Sequence, residues 1–252
     1  MDEISPGVFV GTADKYTTTT TVVVGDDGGC LLIDPAVTVA DLTALAGWLS
    51  GRGLRPVAGW STHPHWDHVL WSAAFGDVPR YATPGAVAVV GRELPGLVSG
   101  VQESAPGHDL ALFARVEPLP GREIDWAGPR AIVYPHDAHA PGHGAVLLPG
   151  SGVLIAGDML SDIEIPLLDL DSADPFGDYR RGLDLLAGVP DVRLVVPGHG
   201  HVGDQAEFRR RVDADRAYLD ATASGADSTD PRLTEEWLRA EHARHQARRP
   251  SS

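Results

Sequence analysis

Short runs of β-branched and apolar residues, separated by glycine, proline and acidic turn signals, recur along most of the chain. In the first quarter these runs predict strands at residues 8–10, 20–24, 30–33 and 56–61. Between the last two, apolar residues return at helical spacing from Val37 to Ser50. Gly51 and Gly53 mark the end of that predicted helix.

The rest of the chain continues this alternation of strands and helices. Strands are predicted at residues 131–134, 145–148, 153–156 and 193–196, and helices at 82–94, 179–187, 204–222 and 233–248. The strands fall into two runs, each interleaved with helices. The pattern therefore predicts an α/β fold, a four-layer αββα sandwich of two mixed β-sheets with outer helices.

A chain of 252 residues can form one large α/β domain, and we expect residues 1–252 to do so. The least regular stretch is 70–128, because many glycines and prolines interrupt it from residue 94 onward. We expect that stretch to be an insertion or lid beside the functional site. Residues 225–252 are predicted to form a C-terminal helical tail.

The charge balance excludes some classes of partner. The chain has 35 acidic residues and 20 lysines and arginines, and the resulting net charge of −15 argues against nucleic-acid binding. No apolar run approaches the roughly 18 residues of a membrane span, and no secretory signal follows the acidic start. We therefore expect a cytoplasmic protein with a small-molecule substrate. Cys30, the single cysteine, is expected to be an inert core thiol.

Four potential metal ligands lie within six residues, directly after the strand predicted at 56–61: His63, His65, Asp67 and His68. Imidazole and carboxylate groups together suit Zn²⁺ and its first-row neighbours, whereas Ca²⁺ and Mg²⁺ prefer oxygen ligands. Side chains at i and i+2 of an extended segment point the same way. The alternative is a chance crowding of histidines in a polar loop, since the chain has 11 of them.

Further ligand candidates follow three later strands. His136, His139 and His143 come after the strand at 131–134, Asp158 after 153–156, and His199 and His201 after 193–196. Sheet folds build sites from residues at the ends of successive strands, because the sheet holds those ends rigidly. This placement makes chance much less credible than a shared metal site.

With these motifs the chain resembles the metallo-β-lactamase superfamily. The family pattern is a His-x-His-x-Asp-His cluster, a lone His, a Gly-Asp pair, and a His in a Pro-Gly-His-Gly-like turn. The matching residues are His63, His65, Asp67, His68, His139, Asp158 and His199. The resemblance extends from the first strand to about residue 200, and it implies the αββα fold of that family.

The resemblance also implies a ligand set for two zinc ions, with iron or manganese as alternatives. One ion would be held by His63, His65 and His139, and the other by Asp67, His68 and His199, with Asp158 bridging both. His139 fits the family motif better than His143 or His136, because 158 − 139 = 19 residues leave room for a hairpin before Asp158 and 158 − 143 = 15 leave less. His199 is likewise favoured over His201.

The implied activity is that of a dinuclear zinc hydrolase, which cleaves a small ester, lactone, thioester or amide with a metal-bridging hydroxide. Asp67 and Asp158 are the expected catalytic residues, and Asp67 would also orient the nucleophile. The ligands must be deprotonated, so metal affinity should fall in acid. The alternatives are an iron-dependent, dioxygenase-like redox enzyme on the same fold and a non-catalytic metal- or ligand-binding protein.

Residues near the cluster are candidates for substrate selection. Trp66 and Trp71 could form an apolar wall. Ser161 stands where lactone-cleaving members often carry Tyr or Phe, and it either contacts a substrate oxygen or is solvated. Asp162 and Glu164 make the rim acidic, which disfavours anionic substrates. Asp34, at a strand end on the same side, is a candidate hydrogen-bond partner for a ligand histidine.

Overall fold

Two mixed β-sheets form the centre of the computed structural model, which describes residues 1–226 and 228–249. The seven strands of the first sheet lie in chain order: β1 Asp2–Ser5, β2 Val8–Thr12, β3 Thr19–Val24, β4 Gly29–Ile33, β5 Arg55–Trp60, β6 Arg80–Ala82 and β7 Glu117–Pro118. The second sheet has the order β12-β11-β10-β9-β8 and comprises β8 Ile132–His136, β9 His143–Leu148, β10 Val153–Gly157, β11 Leu194–Pro197 and β12 Gly203–Asp204. Parallel and antiparallel pairs occur in both sheets.

Among the described residues, five α-helices cover the outer faces: α1 Val39–Gly51, α2 Pro84–Ser104, α3 Pro175–Ala187, α4 Gln205–Ser224 and α5 Glu236–Ala247. The start of α2 agrees with the prediction, because Thr83 caps it and Pro84 occupies its first turn. Its end does not, since the helix continues ten residues past Leu94 and contains Pro95. Val101, on that extension, is 1% exposed and packs in the core, so burial outweighs the local cost of the proline.

Three apolar clusters correspond to the three interfaces of a four-layer sandwich. Val23 and Ile33 of the first sheet pack against Val146 and Ile155 of the second. The other faces of the sheets carry separate clusters: Val22, Leu32 and Leu42 lie with α1 and α2, and Leu154, Leu183 and Leu219 with α3 and α4. Both faces of each sheet are therefore buried, which explains the unbroken apolar runs in β4 and β10. The predicted αββα fold is confirmed.

The two segments singled out at the sequence level have different places. Residues 70–128 supply β6 and β7 of the first sheet together with α2, and their role as a lid stays a prediction. In the tail at 225–252, α5 packs on α4, while positions 227 and 250–252 lie outside the described residues.

Cys30 is fully buried, which raises its thiol pKa to about 12. None of the described helices combines the length and the apolar character needed to cross a membrane.

A buried arginine fastens the C-terminal tail to the sandwich. The Arg232 guanidinium donates to Asp215 Oδ1 of α4 at 2.6 Å, to Asp230 Oδ2 at 2.8 Å and to the carbonyl oxygen of Ser161 at 3.2 Å. Arg232 is 8% exposed and Asp215 is 1% exposed. A charged network shielded from water in this way is costly to break, because the remaining partner stays buried and unpaired.

We expect Arg232→Ala to lower the free energy of unfolding by about 3–5 kcal/mol, because it leaves the Asp215 carboxylate without its cation. Burial raises the pKa of Asp215 to about 6 from 3.8, and Arg232 opposes that rise. A folded pKa above the unfolded one means that stability is lost as the pH rises through the folded value. The defect should therefore be larger at pH 8 than at pH 5 in denaturant titrations.

Arg216→Ala is the matched control, since Arg216 pairs with Asp184 at 2.8 Å on the exposed face of α4. Exposed pairs contribute about 0–1 kcal/mol. Equal losses in the two variants, or a loss at Arg232 that does not change with pH, would contradict the anchoring role.

Candidate metal centre

The predicted ligands come together at one edge of the sandwich, where several strands end. The segment after β5 carries His63, His65, Asp67 and His68, and the loop between β8 and β9 carries His139. Asp158 directly follows β10, and His199 follows β11. β10 and β11 are parallel neighbours, so the residues after them lie side by side. The fold thereby brings together residues that are up to 136 positions apart in the sequence, from 63 to 199.

The first group of donor atoms comprises His63, His65, His139 and Asp158. His65 Nδ1 is 3.0 Å from both His63 Nε2 and His139 Nε2. Asp158 Oδ2 is 3.4 Å from His63 Nε2 and 3.3 Å from His139 Nε2. Three imidazoles and one carboxylate oxygen therefore converge on a single point.

The second group comprises Asp67, His68 and His199. His199 Nε2 is 3.3 Å from Asp67 Oδ2 and 3.4 Å from His68 Nε2. Asp158 reaches this group too, because its Oδ1 is 3.2 Å from His68 Nε2 and its Oδ2 is 3.3 Å from His199 Nε2. Asp158 thus places its two carboxylate oxygens within 3.4 Å of imidazole nitrogens in both groups, as expected of a bridging carboxylate.

The ring nitrogens that face away from the centre are held by acceptors. His68 Nδ1 lies 2.9 Å from Asp34 Oδ2, His139 Nδ1 lies 3.1 Å from the carbonyl oxygen of Leu167, and His199 Nδ1 lies 2.9 Å from that of Tyr16. A carbonyl or carboxylate oxygen can only accept, so each Nδ1 carries a proton and each Nε2 turns towards the centre. Such partners fix the tautomer and orientation of a metal-binding histidine.

Asp34 supports both groups. Its carboxylate accepts from the Thr62 amide at 2.8 Å and from the Thr62 hydroxyl at 2.6 Å, besides His68. The Thr62 hydroxyl in turn lies 3.0 Å from His63 Nδ1, so His63 is oriented through Thr62. Asp34 is 3% exposed and has a φ of +47°, in the left-handed region that Asp tolerates better than most residues. Asp34 is therefore the hydrogen-bond partner of a predicted ligand histidine, His68, as the sequence analysis expected.

Opposing charges dominate the electrostatics of the centre. Burial opposes ionisation of Asp158, but His199, His68 and His63 outweigh it and hold the pKa of that carboxyl well below its usual range. Burial also opposes protonation of His68 and His199, yet Asp158 and Asp67 raise the pKa of both imidazoles well above the ordinary value. The carboxylates therefore attract positive charge strongly, and metal cations can replace the imidazole protons.

This donor set fits metal ions better than it fits hydrogen bonding. Asp158 Oδ1 is buried and makes no hydrogen bond of acceptable geometry to any described residue. The donor-to-donor distances of 3.0–3.6 Å match the edge of a tetrahedron with metal–ligand bonds of about 2.0–2.2 Å. Five imidazoles with two carboxylates are the ligand types of zinc and its first-row neighbours.

The other candidate residues lie outside both groups. His136 and His143 stack on each other at 4.4 Å behind His63, and their four ring nitrogens have no hydrogen-bond partner among the described residues. His201 is exposed and pairs with Asp162. Ser161 is neither solvated nor directed at a substrate, because its buried hydroxyl donates to the carbonyl oxygen of His199 at 2.7 Å.

A pocket of about 510 Å³ opens over the two groups. Trp66 lines it, as expected, whereas Trp71 is 4% exposed and packs in the core. Several lining residues could not be identified from local sequence patterns. They are Tyr16 from the turn before β3, Leu167 and Leu170 after β10, and Trp237, Glu241 and Arg244 of α5. Their helical or loop context carries no ligand-like spacing, so only the packing of these segments around the pocket identifies them.

Comparison with known sequences gives a consistent picture. The family model described as "Metallo-beta-lactamase superfamily" matches residues 14–199. The hydroxyacylglutathione hydrolase of Ruegeria pomeroyi is 30% identical over 179 residues, which are 71% of this chain and 62% of that protein. That of Nitrosomonas eutropha is 29% identical over 75% of this chain and 64% of its own length. The chain therefore spans less than two thirds of the length of these curated relatives.

Solved structures share the whole architecture. A metallo-β-lactamase family protein of Thermus thermophilus, TTHA1429, has a TM-score of 0.71 at 22% identity, covering 96% of this chain and 93% of its own. At that identity it supports the fold alone. TTHA1623, solved in a di-iron-bound form, has a TM-score of 0.62 at 29% identity, covering 81% of this chain and 98% of its own.

Proposed function

This chain belongs to the metallo-β-lactamase superfamily, and from that premise we propose that it is a metal-dependent hydrolase of a small acyl compound. The observation that carries the proposal is the pair of ligand groups joined by Asp158. Curated relatives named hydroxyacylglutathione hydrolase support hydrolysis of a thioester, and esters, lactones and amides share the same acyl chemistry.

In this proposal His63, His65 and His139 would hold one zinc ion, Asp67, His68 and His199 would hold the other, and Asp158 would supply carboxylate oxygens to both groups. Bound ions of this kind lower the pKa of water and polarise an acyl oxygen. Asp34, Thr62 and the backbone at Tyr16 and Leu167 keep the imidazoles oriented. The protein thus supplies a rigid frame, because each ligand follows a strand of a packed sheet.

Two carboxylates have roles beyond binding. Asp67 is 8% exposed and lines the pocket. Burial opposes its ionisation, yet His68 and His199 hold its pKa below the usual range, so it stays ionised and can accept a hydrogen bond that orients the nucleophile. Asp158 keeps the two groups at a fixed separation. Trp66, Leu167 and Leu170 line the walls, where they exclude water from the acyl group.

Metal analysis tests the proposal. Protein expressed with zinc and dialysed should contain about two equivalents per chain by mass spectrometry. Chelation should abolish hydrolysis of a panel of thioesters, esters, lactones and β-lactams, and added zinc should restore it. Protein that stays free of metal after zinc supplementation would refute the metal centre. Stoichiometric metal without turnover of any panel member would favour a non-catalytic binding role.

A second candidate is an iron-dependent redox enzyme, because TTHA1623, at 29% identity, was solved with two iron ions. The same nitrogen and oxygen donors bind iron, zinc or manganese. This alternative predicts bound iron and O₂ consumption with a thiol or persulfide substrate. Tight zinc binding without O₂ uptake would exclude it.

A further inference from the structure

Glu164 is a pocket residue whose carboxylate has no partner among the described residues. It follows Asp158 by six positions and lines the pocket beside His139, Asp158 and His199. Its amide donates to the Ser161 hydroxyl at 3.0 Å, which anchors its backbone to the turn after β11. Within the described residues the Glu164 side chain forms neither a hydrogen bond nor an ion pair. A largely buried carboxylate without a donor is unusual and calls for a ligand that supplies one.

Two of the other acidic side chains of the pocket have partners within the protein. Glu241 pairs with Arg244 at 2.7 Å, and Asp169 Oδ1 accepts from the amide of Asp171 at 3.1 Å. Arg244 is the one lysine or arginine among the described lining residues, and its side chain is 66% exposed at the mouth. Burial raises the pKa of Glu164 to about 7, although the neighbouring His199 and His139 oppose that rise.

Aromatic rings line the same pocket as this carboxylate. Tyr16, Trp66 and Trp237 line the same pocket, and Tyr16 packs edge-on against Trp66 with ring centroids 6.3 Å apart. The Tyr16 ring already carries a cation, since Lys15 Nζ lies 4.5 Å from its centroid. Aromatic faces with a carboxylate form the environment that binds ammonium groups, through cation–π attraction and charge pairing.

We propose that Glu164 is a specificity-determining residue that selects small acyl substrates carrying an ammonium group. The inference rests on the proposed hydrolase function for its substrate, but the selection of cations can be measured by binding alone. It also separates this chain from relatives named for a glutathione thioester, because such a thioester carries two carboxylates against one ammonium group, and Glu164 would repel its net negative charge.

The binding test compares choline with 3,3-dimethylbutan-1-ol, an uncharged molecule of the same shape. Each is titrated into the zinc-reconstituted protein while the intrinsic tryptophan fluorescence is followed, to which Trp66 and Trp237 of the pocket contribute. We expect choline to bind at least about tenfold more tightly, a typical effect of one desolvated cation site. In Glu164→Gln the preference should fall to within about twofold.

Glu123→Gln is the charge-matched control, because Glu123 is exposed, pairs with Arg130 and lies outside the described lining of the pocket. Its preference for choline should equal that of the unmodified chain. Circular dichroism of Glu164→Gln should match as well, since the substitution is isosteric. Equal binding of the two probes, or an undiminished preference in Glu164→Gln, would overturn the assignment.

A kinetic arm uses acetylthiocholine, its uncharged analogue 3,3-dimethylbutyl thioacetate and a carboxylate-bearing thioacetate. The expected order of kcat/KM is cation, then neutral, then anion, with about tenfold between the first two and the difference removed in Glu164→Gln. Hydrolysis of all three at equal rates would refute the role of Glu164 and leave the hydrolase proposal standing. A Glu164-dependent preference for choline without turnover of any thioester would support the role of Glu164 and count against the hydrolase proposal.

Discussion

Asp158→Asn is expected to reduce hydrolysis by at least about 10³-fold and to lower the metal content below one equivalent per chain. The reason is geometric, because the Asp158 carboxylate lies 3.2–3.4 Å from four imidazoles of both ligand groups. An amide of the same shape removes the negative charge and directs an N–H donor at nitrogens that must donate their lone pairs. Turnover and metal content should be measured on the same preparations.

His139→Ala extends this test to the choice among histidines. We expect it to lose metal and activity, since its Nε2 lies 3.0 Å from His65 Nδ1. His201→Ala is the matched control, because His201 is an exposed imidazole two residues from His199 whose side chain pairs with Asp162. It should retain both metals and full activity. The opposite result, with His139 dispensable and His201 essential, would show that the ligand assignment is wrong.

Asp34→Ala is expected to lower the free energy of unfolding by about 2–5 kcal/mol, because the buried amide and hydroxyl of Thr62 lose their acceptor. It should also weaken metal binding by about 10–100-fold, since His68 and, through Thr62, His63 are no longer oriented. Both ligand groups are therefore affected, although Asp34 belongs to neither of them. Denaturant unfolding and competition with a chelator measure the two effects separately.

Two other variants make the Asp34 prediction specific. Asp34→Asn keeps the left-handed backbone and one carbonyl acceptor, so it should fall between the alanine variant and the unmodified chain. Asp27→Ala removes an exposed carboxylate that pairs with Arg55 at 2.6 Å, and its cost should be small. If Asp34→Ala costs no more than Asp27→Ala and binds metal normally, Asp34 has no orienting role.

The sequence sufficed for features that depend on neighbouring residues. Alternating and helical spacing predicted β2 to β5, β8 to β11 and α1, because core-facing positions repeat with the period of each element. Candidate ligands were predicted after four strands, and the resemblance to the metallo-β-lactamase superfamily selected the seven that the structure brings together. The prediction failed where a local signal competes with packing. At Pro95 the sequence suggested that α2 ends, but the helix continues because Val101 packs in the core.

Tertiary structure alone decided what joins distant parts of the chain. His136, His139 and His143 are the same residue type, and the family motif only favoured His139. The path of the loop between β8 and β9 directs His139 into the centre and leaves the other two stacked behind it. The carbonyl oxygen of Tyr16 at His199, the side chains of α5 in the pocket and the lack of a donor at Glu164 among the described residues likewise depend on packing. Residue types and short spacings determine which chemistry is available. Contacts across more than a hundred residues determine where it is used, because many packing arrangements are compatible with the same local pattern.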